Sequence, residues 1–298
     1  MSDIAWDAEW ERVLWKRKSY PDNFVPSSFL ASLSRNANFR PYTYWRLVTA
    51  TTSVVQHVAV IFIFLAVFVR LRENDLDPRR LVWLSIGGFV LGYTSWELLA
   101  FSGSQEKSRY NSRAKAVKSA ILVFLALLSL SPVLRTLTAA TSSDSIWALS
   151  ACLFIVNVLL ADYSTVDVHK QSRERLTSVM SMNAAISSSV VLASRLPDDL
   201  SVFALTLFAI QSFSLFPILR RHLQGGPNLV GAMLTLCLTS LSLKLTAPLS
   251  TTVTYLYGTI YVFIMFVAPG LLMWAQRYKN ELRGTWDVAV PRVNRPTG

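Results

Sequence analysis

Few side chains in this sequence have the types and spacing that chemistry needs. The three histidines, His57, His169 and His222, are too scattered for the clustered histidines of a membrane di-iron centre or for a zinc-binding HExxH. There is no GxSxG and no phosphate-binding P-loop. Asp75-Leu76-Asp77 matches the Asp-x-Asp of metal-dependent glycosyltransferases, a three-letter pattern in a charged loop and weak for that reason. Cys152 and Cys237 stand in separate apolar stretches, which argues against a disulfide framework or a zinc site. The expectation is a chain with no catalytic residue, metal or cofactor of its own. More informative are polar groups within long apolar stretches, since burying them in hydrocarbon is costly. They are Gln56, His57, Glu97, Asn157, Asp162, Asn183 and Gln211. Hydrogen bonding between helices accounts for Gln56, Asn157 and Gln211. For Glu97, Asp162 and Asn183 a structural and a functional role both stay open.

Such groups need a frame to position them, and composition says what kind. Of 298 residues, 52% are hydrophobic and only 16% charged, whereas soluble domains carry about 25% charged residues. With a mean hydropathy of +0.38, this implies an integral membrane protein rather than a globule with one anchor. The formal net charge of +11 is distributed between apolar stretches and forms no separate basic domain, so nucleic-acid binding is not expected. Spanning a bilayer takes about 20 apolar residues. Eight stretches qualify: 47–69, 81–102, 116–134, 146–163, 176–195, 200–219, 228–247 and 253–275. The predicted fold is all-α, a polytopic bundle of about eight transmembrane helices (47–275), with an N-terminal amphipathic segment (1–46) and a C-terminal tail (276–298). Pro132 is expected to end or kink the third helix, and Ser143 or Asp144 to cap the fourth.

In the N-terminal segment Trp6, Trp10, Val13 and Leu14 share one helix face, opposite Asp7, Glu9, Glu11 and Arg12. Such a helix suits a membrane surface, a partner's groove or the protein's own loops. The first forty residues lack the apolar core of a cleavable signal peptide. The fifth stretch is built almost entirely of small residues. Thr177, Ser181, Ala185, Ser189 and Ala193 recur at every fourth position and line one face. Small residues so spaced let another backbone approach closely, which is how helices associate in a bilayer. The predicted role is the central helix of the bundle, with Ser181, Ala185, Ser189 and Ala193 as its packing stripe.

Lysines and arginines near the ends of the stretches set the orientation. One set of loops holds about sixteen, among them Lys107, Arg109, Arg113, Lys170, Arg173, Arg175, Arg220 and Arg221. The opposite set holds about seven: Arg70, Arg72, Arg79, Arg80, Arg135, Arg195 and Lys244. Both termini are therefore expected in the cytosol, with Glu73, Asp75 and Asp77 offsetting the arginines of the most basic loop on the far side.

Several blocks then appear in a fixed order: YPDNFVPSSFLASL at 20–33, SPVLRTLT at 131–138, SSDSIWALS at 142–150, ADY at 161–163, SMNAA at 181–185, VLASRLP at 191–197 and FPILR at 216–220. Together they resemble the C subunit (PIG-C type) of phosphatidylinositol N-acetylglucosaminyltransferase, over nearly the whole chain. The family's Ser-Leu-Asn is here Ser181-Met182-Asn183. The resemblance implies a subunit of an endoplasmic reticulum membrane complex. That complex transfers N-acetylglucosamine from UDP-GlcNAc to phosphatidylinositol, the first step of GPI-anchor biosynthesis. It also implies that catalysis belongs to a separate glycosyltransferase subunit, and it carries no catalytic residue onto this chain.

A phosphatidylinositol headgroup calls for cations at its phosphate and for acceptors or amides at its hydroxyls. Lys170, Arg173 and Arg175 precede the fifth helix, Arg220 and Arg221 follow the sixth, and Glu97, Asp162 and Asn183 approach the same depth. These eight residues form the candidate headgroup site. Cations placed only for orientation, attracting bulk anionic lipid, are the alternative. Two further rivals concern the whole chain. A secondary transporter or lipid scramblase would be expected to show inverted repeats and helices broken at mid-membrane. A self-sufficient lipid enzyme would need a convergent His, Asp and Glu set.

Overall fold

The computed structural model describes residues 17, 24, 41–99, 106–163, 171–224 and 228–279; at 98–99, 106–114, 171–178, 222, 224, 228 and 277–279 it describes the backbone alone. All regular structure among the described residues is helical. In chain order the helices are α1 (Tyr44–Arg72), α2 (Pro78–Leu99), α3 (Glu106–Thr136), α4 (Ser143–Leu160), α5 (Gln171–Ala193), α6 (Asp199–Ile210), α7 (Phe216–Gln224), α8 (Asn228–Thr246), α9 (Thr251–Val262) and α10 (Ala268–Lys279). Two π-helical segments, Gln211–Leu215 and Phe263–Val267, join α6 to α7 and α9 to α10. The expected amphipathic helix at residues 6–14 lies outside the described residues.

Two compact units are distinguished. One is Val48–Val267; the other is Met1–Leu47 with Ala268–Gly298. In the second, the Tyr42 N–H donates to Gln276 Oε1 at 3.2 Å, tying the entry of α1 to α10.

Six segments are long and apolar enough to cross a membrane: Tyr44–Arg72, Lys115–Thr136, Ser143–Leu160, Asp199–Arg221, Leu229–Thr246 and Thr251–Gln276. The protein is thus an all-α, multi-pass membrane protein. Of the eight expected stretches, α2 falls short of that measure: it is bounded by Arg79, Arg80 and Glu97 and carries glycines, serines and threonine between them. In α5 side chains are described only from Val179, and Val179–Ala193 is apolar. Small and hydroxylic residues lower hydropathy while favouring close helix packing.

Of these six segments the one in α1 is the most buried and the one in α3 the least. Phe64 and Phe68 of α1 are fully enclosed and share a core with Phe154, Leu192, Leu205 and Phe213. α5, the helix expected at the centre, contributes Ala185, Leu192 and Ala193 to the same core.

α5 packs chiefly against α4. Ser181, Ala185, Ser189 and Ala193 of α5 are all buried. Alongside them, Ser188 Oγ meets Ser150 Oγ at 2.8 Å and donates to the Ser150 carbonyl at 3.0 Å. Seven residues away on each helix, Ser181 Oγ donates to the Asn157 carbonyl at 2.8 Å. The pairs 150–188 and 157–181 fix α4 and α5 antiparallel in one register.

Local chemistry explains the ends. Ser142, one residue before the predicted caps, caps α4 by accepting from the Ser145 N–H. Asp198 caps α6 through the Ser201 N–H at 3.1 Å. α3 runs through Pro132 to Thr136 instead of ending there. Both π segments stop two residues before a proline, Pro217 and Pro269. Proline has no N–H for the carbonyl four residues back and crowds it; a locally wider helix re-satisfies the freed groups within a membrane. The Asp-x-Asp pattern is a turn device: Asp77 accepts from the Arg79 N–H at 2.9 Å at the head of α2, and Asp75 pairs with Arg70 at 3.3 Å.

Candidate functional site

The densest polar cluster lies where α4 and α7 end, against α1 and α5. His57 of α1 meets Asn157 Oδ1 at 2.7 Å through Nε2. The Asn157 Nδ2 donates to the Ser181 carbonyl at 2.8 Å and to Ser181 Oγ at 2.9 Å. With its amide nitrogen so engaged, Asn157 offers His57 an acceptor, and His57 carries its proton on Nε2. Just past α4, Tyr163 donates to the Val158 carbonyl at 2.9 Å, and its ring stands edge-on to His57 with centroids 5.8 Å apart. Next to His57 in the chain, Gln56 is fully buried and donates to the Gly231 carbonyl at 3.1 Å and to Thr235 Oγ1 at 2.8 Å.

Arg220 gives the cluster its charge. It is only 4% exposed, its Nη1 donates to the Ser53 carbonyl at 3.0 Å, and its Nε is buried with no hydrogen-bond partner among the described residues. No carboxylate among the described residues pairs with it. The nearby carboxylate, Asp162, is taken by Arg221 at 3.2 Å, although Asp162 and Arg221 both act on the Arg220 charge. A cation withdrawn from water without a paired anion is costly. A guanidinium in that condition is a ready receptor for a phosphate, which it matches in charge and fork geometry.

Of the predicted headgroup residues, the fold brings together Asp162, Arg220 and Arg221. Asn183 is exposed on α5, turned away from buried Ser181, and Glu97 is half-buried near the end of α2. Arg173 and Arg175 stand in the first turns of α5, and Lys170 lies outside the described residues. Gln56 and Asn157 bond between helices, as their positions in apolar stretches implied. Gln211 makes no such bond among the described residues: its amide lies against Gly88, where a Cβ would stand only 2.6 Å from Nε2. That close approach went unread, although Gly88 and Gly92 form a GxxxG, the usual signal for it. His57 and Tyr163 joined the cluster without any sequence signal of their partnership.

A protein from Schizosaccharomyces pombe, the "phosphatidylinositol N-acetylglucosaminyltransferase GPI2 subunit", is 37% identical over 97% of this chain and 89% of its own length. A Dictyostelium discoideum protein, named as a putative C subunit of the same transferase, is 35% identical over 95% of this chain and 80% of its own. The human C subunit is 30% identical over 95% and 93%. No solved structure matches. The GPI2 family model, described as phosphatidylinositol N-acetylglucosaminyltransferase, matches residues 10–287, and the chain belongs to that family.

Proposed function

We propose that this protein is a membrane subunit of the complex that transfers N-acetylglucosamine from UDP-GlcNAc to phosphatidylinositol, the first step of GPI-anchor biosynthesis in the endoplasmic reticulum. Its relatives are named as subunits of that transferase, so other chains are its partners. In this reading the sugar-transfer chemistry lies in a separate glycosyltransferase subunit, and this chain holds that subunit at the membrane and presents the lipid acceptor. It crosses the membrane eight times, with segments 1–46 and 276–298 in the cytosol. The acceptor headgroup binds at Arg220, Arg221 and Asp162, with Lys170, Arg173, Arg175, Glu97 and Asn183 as the wider set. The observation that carries the headgroup site is the buried guanidinium of Arg220, which pairs with no carboxylate among the described residues. Phosphate would complete it, and Asp162, held by Arg221, would accept from inositol hydroxyls.

The test is microsomal transfer of N-acetylglucosamine to phosphatidylinositol, with co-purification of the complex as the control for assembly. Arg220→Lys keeps the charge and loses the fork. Arg221→Gln removes the ion pair with Asp162. Hydrogen bonds to charged groups contribute about 1.5–3 kcal/mol, so each variant is expected to lose about ten- to a hundredfold in transfer while the complex still assembles. Normal transfer by both would remove the headgroup site. A bulk-charge effect would instead give small, equal losses at all five cations, at about 1 kcal/mol each.

A further inference from the structure

A cleft of about 220 Å3 separates α2 from the π segment and α7. On α2 its wall is Gly88, Phe89, Gly92, Tyr93 and Trp96, a single stripe about 12 Å long at 1.5 Å per residue. The rings of Phe89, Tyr93 and Trp96 follow one another at 6.3 and 6.1 Å and make that wall aromatic throughout. The facing wall includes Leu215, Ile218 and Leu219. Gln211 closes one end. Its carboxamide lies across Gly88 and makes no side-chain hydrogen bond among the described residues, so the slot stops at a polar floor. Gly92 leaves the middle of the slot open: a Cβ there would meet only Leu219 Cδ2, at 3.8 Å.

The surroundings identify the occupant. Val90 and Leu91 on α2 and Leu215 and Ile218 opposite are exposed large apolar residues, so in a membrane protein the mouth opens sideways onto hydrocarbon. A slot this narrow does not admit a second helix, whose diameter with side chains is about 10–12 Å. It fits one extended alkyl chain against a flat aromatic wall. Its open end, at Trp96 and Leu219, is the end at which α7 carries Arg220 and Arg221. We propose that the cleft holds an acyl chain of a membrane glycerophospholipid. If the headgroup reading above is right, that lipid is the anionic one whose phosphate lies at Arg220 and Arg221.

Photocrosslinking tests this on the intact complex in phosphatidylcholine nanodiscs. The probe is phosphatidylinositol with a diazirine in its acyl chain. Label is expected to concentrate on the peptides holding residues 89–96 and 215–219. Gly92→Phe and Leu219→Trp fill the slot from opposite walls, and each should lower that label about fivefold or more at unchanged yield of complex. Gly92→Ala, which has room, should leave it as it is. Label unchanged in both filling variants, or spread evenly along outward-facing α3, overturns the proposal. So does label that appears on the isolated chain and vanishes in the complex, since a neighbouring subunit would then cover the slot. A phosphatidylcholine probe with the same chain separates the two readings. Equal labelling by both probes leaves the acyl slot standing and removes the headgroup from Arg220 and Arg221.

Discussion

Asn157 shows how one amide can hold three helices when it is buried in hydrocarbon. Its two ends engage His57 on α1 and Ser181 on α5 while it belongs to α4. Inter-helix hydrogen bonds in membranes contribute about 0.6 kcal/mol on average, and up to about 1.7. Asn157→Ala is therefore expected to lower stability by about 2 kcal/mol, read as a reduced thermal midpoint of the detergent-purified protein. Ser150→Ala, which removes one partner of Ser188, should cost about a third of that; equal effects would mean that Asn157 is no hub. The sequence marked Asn157 and Gln56 as inter-helix donors because an amide inside an apolar stretch must find a partner. It left the partners unnamed, since pairing across a hundred residues depends on which helices meet. Arg220 was legible only as one of five loop cations. Nothing in FPILRR tells a solvated arginine from a buried one; burial follows from α7 packing beside Ser53 of α1.

At the scale of elements, the period-four stripe of α5 was readable because small residues at that spacing have a single use in a bilayer. The deep burial of α1 was not, since an all-round apolar helix reads alike whether it faces lipid or protein. The π segments were hidden as well: Pro217 and Pro269 were visible, but a proline near a helix end more often marks its termination than a widened turn. The stripe carries a prediction of its own. Ala185 is fully buried, and Ser189 Oγ donates to its carbonyl at 2.7 Å. Ala185→Leu and Ser189→Leu add volume where α5 has none to spare, and overpacking costs about 1–3 kcal/mol. Loss of protein abundance and of complex recovery is expected for both. Normal levels would place the stripe against lipid or a cavity. The paired serines 150 and 188 offer a control, because Ser188→Ala removes a hydroxyl without adding bulk and should be milder than either leucine.

For the molecule as a whole, orientation rests on which arginines are free to be sorted by charge. Several on the predicted lumenal side have structural employment. Arg70 pairs with Asp75 and donates to the Leu245 carbonyl at the end of α8 at 3.0 Å. Arg72 lies over the Trp147 ring at 5.2 Å. Arg135 pairs with Asp199 at 3.1 Å, and Arg195 donates to the carbonyls of Thr138 and Thr141. These four stitch loops to neighbouring helices, so their presence on that side is accounted for by contacts and weakens the charge asymmetry less than their number implies. Gly88 faces Gln211 and Gly92 faces Leu219, so α2 runs parallel to α6 and α7, as the second and sixth spans of the proposed arrangement would. The antiparallel pairing of α4 with α5 fits the fourth and fifth. The proposed arrangement puts both termini in the cytosol, and protease protection on sealed microsomes tests it. A C-terminal tag should be digested without detergent, and a tag inserted after Arg72 should be protected until the membrane is opened. Arg79 and Arg80 are exposed, which makes them the arginines of that loop still free to act through charge alone. Arg79→Glu with Arg80→Glu should therefore leave both patterns unchanged, since it deepens the existing asymmetry. A protected C-terminal tag in the unmodified protein would rule the arrangement out, and with it the cytosolic placement of Arg220 and Arg221.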